Sequence, residues 1–186
     1  MIITNVNVNG IRAAVKHRSE TNLGFLPWLS GTAPDYVLLQ ETRASHDQVT
    51  EALAPALEQG WHLSLAEAEK KGHAGVAVLS RTAPDAVRIG FGSNEFDHTG
   101  RYLEADFGDL TVASLYLPKG ASDGEKRDEK FRFMDEFGAH ITALARKRRD
   151  VAIGGDWNIA PNEGDLKAWK THKRSPGFLP EERAWG

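Results

Sequence analysis

Between Trp61 and Pro118 five apolar runs follow one another, "WHLSLA", "AGVAVLS", "AVRIGF", "RYLEADF" and "LTVASLYLP", each set off by Gly, Pro, Asp or Asn. That spacing predicts consecutive antiparallel strands and confines the middle of the chain to a strand-rich architecture. "IITNVNV" near the start alternates as a further strand, and "DYVLLQE" carries apolar residues on both faces, as a strand does in a sheet covered on both sides. Helical segments separate these groups. "GIRAAVKHRSETNLGFLPWLSG" reads as a helix interrupted near Gly24 and closing on Pro27 to Gly31. "SHDQVTEALAPALEQG" reads as one helix with Ser45 as its cap and Gly60 beyond its end. In "RDEKFRFMDEFGAHITALARKRR" the residues Phe131, Met134, Phe137, Ile141 and Leu144 recur every three or four positions and predict a buried helical face. The basic residues Arg146 to Arg149 that follow suit the negative end of a helix dipole. Helices alternating with two groups of strands predict an α/β fold, a two-sheet sandwich.

At 186 residues, with no internal repeat and no linker, one domain spanning residues 1–186 is expected. Apolar residues make up 40% and charged residues 26%, which excludes a collagen-like or largely disordered chain. The net charge of −3 supplies no global positive field, so a polyanionic partner must be met by local basic groups or a metal ion. There is no cysteine, which excludes disulfides, thiol nucleophiles and Cys-ligated zinc and fits a reducing compartment. With no signal sequence and no span-length apolar run, a cytoplasmic location is the expectation.

Several strand-like runs end on polar residues. In "VAIGGDWNIAP" a strand reaches two glycines and then Asp156 and Asn158, two positions apart and thus on one side of an extended chain. An Asx turn accounts for this pair equally well. Asn5, Asn7 and Asn9 share one face of the first strand, although asparagine is depleted in strands; a solvated edge is the competing account. "DYVLLQET" delivers Glu41 where a buried strand leaves the core, and a carboxylate there must be solvated, paired or bound to a cation. "LTVASLYLPKG" ends on Tyr116, a position more often occupied by a core residue. Four strands finishing on Asn7, Glu41, Tyr116 and Asp156 with Asn158 form the pattern by which a scaffold gathers polar groups into one cleft.

"NVNGIRA", "LLQET", "GHAGVAVLSR", "LYLPKG", "GGDWNIAP" and "GFLPEERAW", in that order, resemble the motif set of the exonuclease III type of apurinic/apyrimidinic endonuclease, within the endonuclease/exonuclease/phosphatase superfamily. The resemblance runs from Met1 to Trp185 and implies a two-sheet α/β sandwich that hydrolyses DNA phosphodiesters with Mg²⁺, or Mn²⁺ in its place. It implies abasic-site endonuclease, 3′-to-5′ exonuclease and 3′-phosphatase activities on double-stranded DNA bearing abasic sites or 3′ ends. By position, Glu41 matches the metal-binding glutamate and Asn7 the asparagine that supports the metal. Asp156 matches the aspartate that orients or deprotonates the attacking water, Asn158 the amide at the transition state, and Tyr116 a phosphate-side tyrosine. Arg101 and His73 fall on DNA-contacting positions, with an ordinary strand-edge charge as the plainer reading of Arg101.

The family pattern continues past "PEERAW" into a Gly-x-Arg-x-Asp segment and a terminal Ser-Asp-His motif. "PGFLPEERAWG" starts a helix at Pro180 and stops about one turn later, although a single turn gains little propagation. The expectation is a domain that is incomplete at its C-terminus: a truncated product, or one part of a site that a second polypeptide completes. The competing readings are a non-catalytic DNA- or metal-binding remnant and a superfamily phosphatase acting on a small molecule.

Overall fold

Alternation and breakers divide the N-terminal half as the residues dictate. The computed structural model describes residues 1–185 of the chain. Its elements, in order, are β1 (Ile3–Asn7), α1 (Ile11–Ala14), α2 (Phe25–Thr32), β2 (Tyr36–Gln40), α3 (His46–Ala52), α4 (Ala54–Glu58), β3 (His62–Ala66) and β4 (Val76–Ser80). They continue with β5 (Ala86–Ile89), β6 (Tyr102–Phe107), β7 (Leu110–Tyr116), α5 (Gly124–Ala145), β8 (Asp150–Asp156), α6 (Trp169–His172) and α7 (Pro180–Trp185). The backbone groups into two compact units, one of residues 1–116 with 148–156 and one of residues 117–147 with the described residues from 157 onward.

The first unit holds both sheets. One has the order β1-β2-β4-β3, the other β5-β6-β7-β8. Within them β1 and β2 are parallel, as are β7 and β8, while the remaining pairs are antiparallel. The parallel pairs matter for function because each brings two strand C-termini to the same end: Asn7 lies opposite Gln40, and Tyr116 opposite Asp156.

Both faces of β2 are buried, as its continuous apolar run predicts. Val37 and Leu39 join Ile11, Phe25, Leu29, Val49, Leu53 and Trp61 in a core between the first sheet and helices α1 to α4. Leu38 points the other way and packs with Val76, Val78, Leu103, Ala105 and Val112 between the two sheets. Two apolar layers thus share one strand, which is why a single change at Leu38 or Leu39 acts on one layer only.

Three helical expectations are corrected. The segment from Gly10 does not form one long helix: α1 lasts one turn, and a bridge between Ser19 and Asn22 precedes α2. Pro27 lies inside the first turn of α2, where its missing N–H costs nothing, so it does not close the helix. The Ser45 segment is two helices. Ser45 caps α3 in a capping box with Gln48, but the chain breaks at Leu53 because Pro55 cannot donate into the preceding turn.

In the second unit α5 buries Lys130, Phe133, Met134, Phe137 and Leu144. The expected stripe is therefore shifted. Phe131 lies partly exposed beneath the Arg127 guanidinium, 4.5 Å from its ring centroid, and Phe133 takes the interior position. Helix α5 also ends at Ala145, so Arg146 to Arg149 lie outside its last turn. Trp157 packs against Phe137 and Trp185, each with centroids 6.2 Å apart.

Candidate active site

The asparagines of β1 lie on the exposed face of an edge strand, as one reading expected, and they also have specific partners. Asn5 Oδ1 accepts from Gln40 Nε2 at 2.7 Å, and Asn5 Nδ2 donates to the Gly155 carbonyl at 3.3 Å. Gln40 Nε2 also donates to Ser114 Oγ at 3.0 Å, and that hydroxyl donates to the Leu39 carbonyl at 2.8 Å. This polar rung ties the two sheets together one layer below the strand ends.

Asn7 stands above it. Its Nδ2 donates to Glu41 Oε1 at 2.9 Å and to Asp156 Oδ2 at 3.0 Å, while its Oδ1 accepts from the Asn9 backbone N–H at 3.0 Å. With both amide hydrogens given to carboxylates and the oxygen facing a donor, only one orientation of the side chain is consistent. Asn7 thus fixes two acidic groups that reach it from different sheets.

Glu41 leaves β2 with φ +54°, a left-handed backbone that costs on the order of 1 kcal/mol in a residue with a Cβ. Its surroundings hold it there. Gly10 N–H donates to the Glu41 carbonyl at 2.7 Å, and the next two N–H groups donate to Gly75 at 3.1 Å and Ala74 at 2.9 Å. Gly75 has φ +93°, a backbone conformation that L side chains rarely adopt, and a Cβ there would also stand 2.1 Å from Thr42 Oγ1, so this turn favours glycine.

Three side chains bind the Glu41 carboxylate: Asn7, Tyr116 and Arg43. Burial pushes its pKa up, but the hydrogen bonds from Asn7 and Tyr116 and the charge of Arg43 outweigh that and hold it below the ordinary value. Glu41 is therefore an anion at neutral pH. The Tyr116 phenol is pushed up to about 12, first by burial and then by the Glu41 charge and hydrogen bond, with Arg101 opposing. It stays a proton donor. Arg101 lies 5.1 Å from the Tyr116 ring centroid and donates from Nη1 to the Tyr116 carbonyl at 3.3 Å.

The structure brings together Asn7, Glu41, Tyr116 and Asp156, with Arg101 against the tyrosine. His73 lies in a recess of about 960 Å³ with Arg12, His46, Lys70, Lys71 and His98, and neither Glu41 nor Asp156 lines it. Asn158 belongs to the second unit. It has φ +48°, donates from Nδ2 to the Leu117 carbonyl at 2.7 Å, and accepts at its own carbonyl from Lys130 Nζ at 2.8 Å. Its left-handed backbone interrupts the period-two alternation that an extended chain would continue past Asp156.

Two features escaped the sequence reading. Arg43 pairs with Glu41, and Lys130 is wholly buried against Glu182. The first had a signal, a cation two residues beyond an acidic strand end; the second had none, because its partner is remote in sequence.

Among the described residues no group of three or more His, Cys, Asp or Glu is placed to hold a metal ion. Mg²⁺, however, takes one or two carboxylates and completes its shell with water and substrate oxygens. Glu41, an anion whose carboxylate the Asn7 amide aligns, fits that demand as the one carboxylate ligand.

A family model described as "Endonuclease/Exonuclease/phosphatase family" matches residues 5–186. The chain is 32% identical over 183 residues to the DNA repair nuclease APEX1 of Danio rerio, covering 98% of this chain and 57% of that protein. It is 33% identical over 177 residues to an exodeoxyribonuclease of Bacillus subtilis, covering 95% of this chain and 66% of that protein. The chain thus spans between about half and two thirds of these curated relatives. Among solved structures, an AP endonuclease from Archaeoglobus fulgidus superposes with a TM-score of 0.86 at 27% identity, covering all of this chain and 68% of that one. Two mixed sheets, four strand ends linked through Asn7 and Glu41 and a family match over residues 5–186 agree, and the chain belongs to the endonuclease/exonuclease/phosphatase family.

Proposed function

We propose that this chain is a Mg²⁺-dependent DNA repair nuclease of the exonuclease III type, with Mn²⁺ able to serve, acting on double-stranded DNA at abasic sites or 3′ ends. The observation that carries the reading is the Asn7 amide, which holds Glu41 and Asp156 at 2.9 and 3.0 Å. Both curated relatives are named as nucleases, and one as a DNA repair nuclease. One domain over residues 1–186 is part of this proposal.

The residues divide the work by their chemistry. Glu41, an anion in a largely buried position, is the metal ligand, and Asn7 aligns it. A bound Mg²⁺ supplies charge neutralisation at the phosphate oxygens. Asp156 orients the attacking water and accepts its proton. Tyr116, a phenol that does not ionise near neutral pH, gives its one O–H to Glu41 and is assigned to the phosphate side of the site. The Asn158 amide is assigned to the charge that develops on the phosphoryl oxygens in the transition state. Arg101 and His73 contact the DNA backbone, which positions the substrate without reading its sequence. A second polypeptide contributing to the site is the further partner in this proposal.

The test is incision of a duplex bearing one abasic-site analogue, in Mg²⁺ and in EDTA, by this chain and by Asp156→Asn. Incision in Mg²⁺ that falls by roughly 10²- to 10⁴-fold in the variant is the expected result. Equal incision by both, or incision in EDTA, overturns the residue assignment. No incision by soluble, folded protein overturns the activity for the chain alone.

A further inference from the structure

Two residues beyond Glu41 the backbone is again left-handed, with φ +50° at Arg43 against +54° at Glu41. Two such turns in three residues fold the chain back on itself, and the guanidinium of Arg43 closes onto Glu41 Oε2. The Arg43 backbone is anchored on both sides. Its N–H donates to the Ala74 carbonyl at 2.9 Å, and its own carbonyl accepts from Arg12 Nη2 at 3.1 Å. The side chain is not anchored in the same way: it is 46% exposed, whereas that of Glu41 is 12% exposed. A cationic head therefore lies on the solvent side of a mostly buried carboxylate.

This position has a consequence for any cation that approaches Glu41. Asn7 takes Oε1, the Tyr116 hydroxyl reaches the same carboxylate, and Arg43 takes Oε2. A neutral amide and a phenol can remain beside a metal ion. A guanidinium on the same oxygen takes up part of its lone-pair density and sets a like charge beside the incoming ion, so it opposes binding there.

We infer that Arg43 is an intramolecular counter-cation of Glu41 that competes with a divalent ion for the carboxylate. This rests on the metal reading of Glu41 given above. In the metal-free protein Arg43 compensates a carboxylate that would otherwise be half-desolvated and unpaired on that oxygen. On metal binding the head swings outward, which its exposure allows, and the backbone bonds to Ala74 and Arg12 keep the loop in place. Arg43 thereby raises the divalent-ion concentration at which the site fills.

The experiment is direct titration of the purified chain with Mn²⁺, free ion being read by electron paramagnetic resonance without DNA. The proteins compared are wild type, Arg43→Met, Arg43→Lys and Glu41→Gln, each checked for an unchanged far-ultraviolet circular dichroism spectrum. Arg43→Met is expected to bind Mn²⁺ roughly 3- to 10-fold more tightly than wild type, because one partly screened unit charge is removed from the ligand. Arg43→Lys, which keeps the charge, stays close to wild type. Glu41→Gln loses the site. Unchanged or weaker binding by Arg43→Met, with binding still lost in Glu41→Gln, overturns the counter-cation alone. Full binding by Glu41→Gln overturns the metal reading itself, and the inference with it.

Discussion

Lys130 and Glu182 face each other with both side chains wholly out of solvent, Nζ lying 2.7 Å from Oε1. The contact is an ion pair without hydrogen-bond alignment at Oε1. The directed bonds of the ammonium go elsewhere, to the carbonyls of Asn158 at 2.8 Å and Lys119 at 3.2 Å. Glu182 Oε2 accepts the Leu179 N–H at 3.0 Å and so closes the start of α7. One buried cation thereby gathers two loops and a helix.

Removing half of such a pair is worse than removing all of it, because the charge left behind is buried without compensation. Lys130→Met should cost roughly 3 to 5 kcal/mol in urea unfolding, and the double change with Glu182→Met should recover most of that loss. A double variant as unstable as the single one would mean that the carbonyl bonds of Lys130, rather than the ion pair, carry the stability.

Tyr116 and Glu41 should report on each other. The Glu41 charge and hydrogen bond contribute to pushing Tyr116 up to about 12, so Glu41→Gln should move the Tyr116 titration back toward 10. Burial, the larger cause, remains, and the return is partial. In the other direction Tyr116→Phe removes a donor that lowers the Glu41 pKa, which should rise. Both titrations are readable by carbon-13 NMR of Tyr Cζ and Glu Cδ. An unmoved Tyr116 in Glu41→Gln would mean that the two groups do not bond in solution.

What the sequence made legible follows from range. Period-two alternation and turn residues are local, and they place all eight strands near their observed positions, including the burial of both faces of β2. The polar strand ends were legible for the same reason, since Glu41 follows an apolar run that has to be buried. The helices were less so. Pro55 splits a pattern that periodicity alone continues through Leu53, and the α5 stripe shifts from Phe131 to Phe133 because Lys130 is drawn inward by Glu182. A lysine on an apolar face reads as solvent-exposed until its partner is known. Arg43 had a signal in its place two residues beyond Glu41, but its contact depends on two left-handed residues that no propensity favours.

Acid should weaken the outer face of the second sheet only below about pH 4. Arg88 binds both oxygens of Asp106, at 2.6 and 2.8 Å, and Glu104 Oε2 at 2.9 Å. The Arg88 hydrogen bond, against the opposing effect of burial, holds Asp106 down to about 2 from an ordinary 3.8. A depressed carboxyl pKa stabilises the fold above the unfolded value and is lost as pH falls through the folded one, so the window runs from about pH 4 to about pH 2. Since Arg88 is 43% exposed, screening reduces the contribution to about 1 kcal/mol. Arg88→Met should therefore be less stable than wild type at pH 6 by about that amount and equal to it near pH 2. A constant difference across that range would show that Arg88 acts through packing.

The same substitution should act with opposite sign at two glycines. In β8, a Cβ on Gly155 would stand 2.2 Å from the Leu115 carbonyl oxygen, a backbone atom of the neighbouring strand that no rotamer change can move. Gly155→Ala must therefore push β8 away from β7, which breaks the ladder that places Asp156 opposite Tyr116. A loss of roughly 3 kcal/mol or more is expected. In α5, a Cβ on Gly138 would meet nothing nearer than Trp185 Nε1 at 3.4 Å, an ordinary contact. There alanine lowers the entropy of the unfolded chain and favours helix, so Gly138→Ala should stabilise by about 0.5 to 1 kcal/mol. Thermal unfolding of the two variants beside wild type decides the matter. A destabilised Gly138→Ala would mean that Trp185 packs closer to α5 than 3.4 Å, and a neutral Gly155→Ala would mean that β8 is not held against β7 at Leu115.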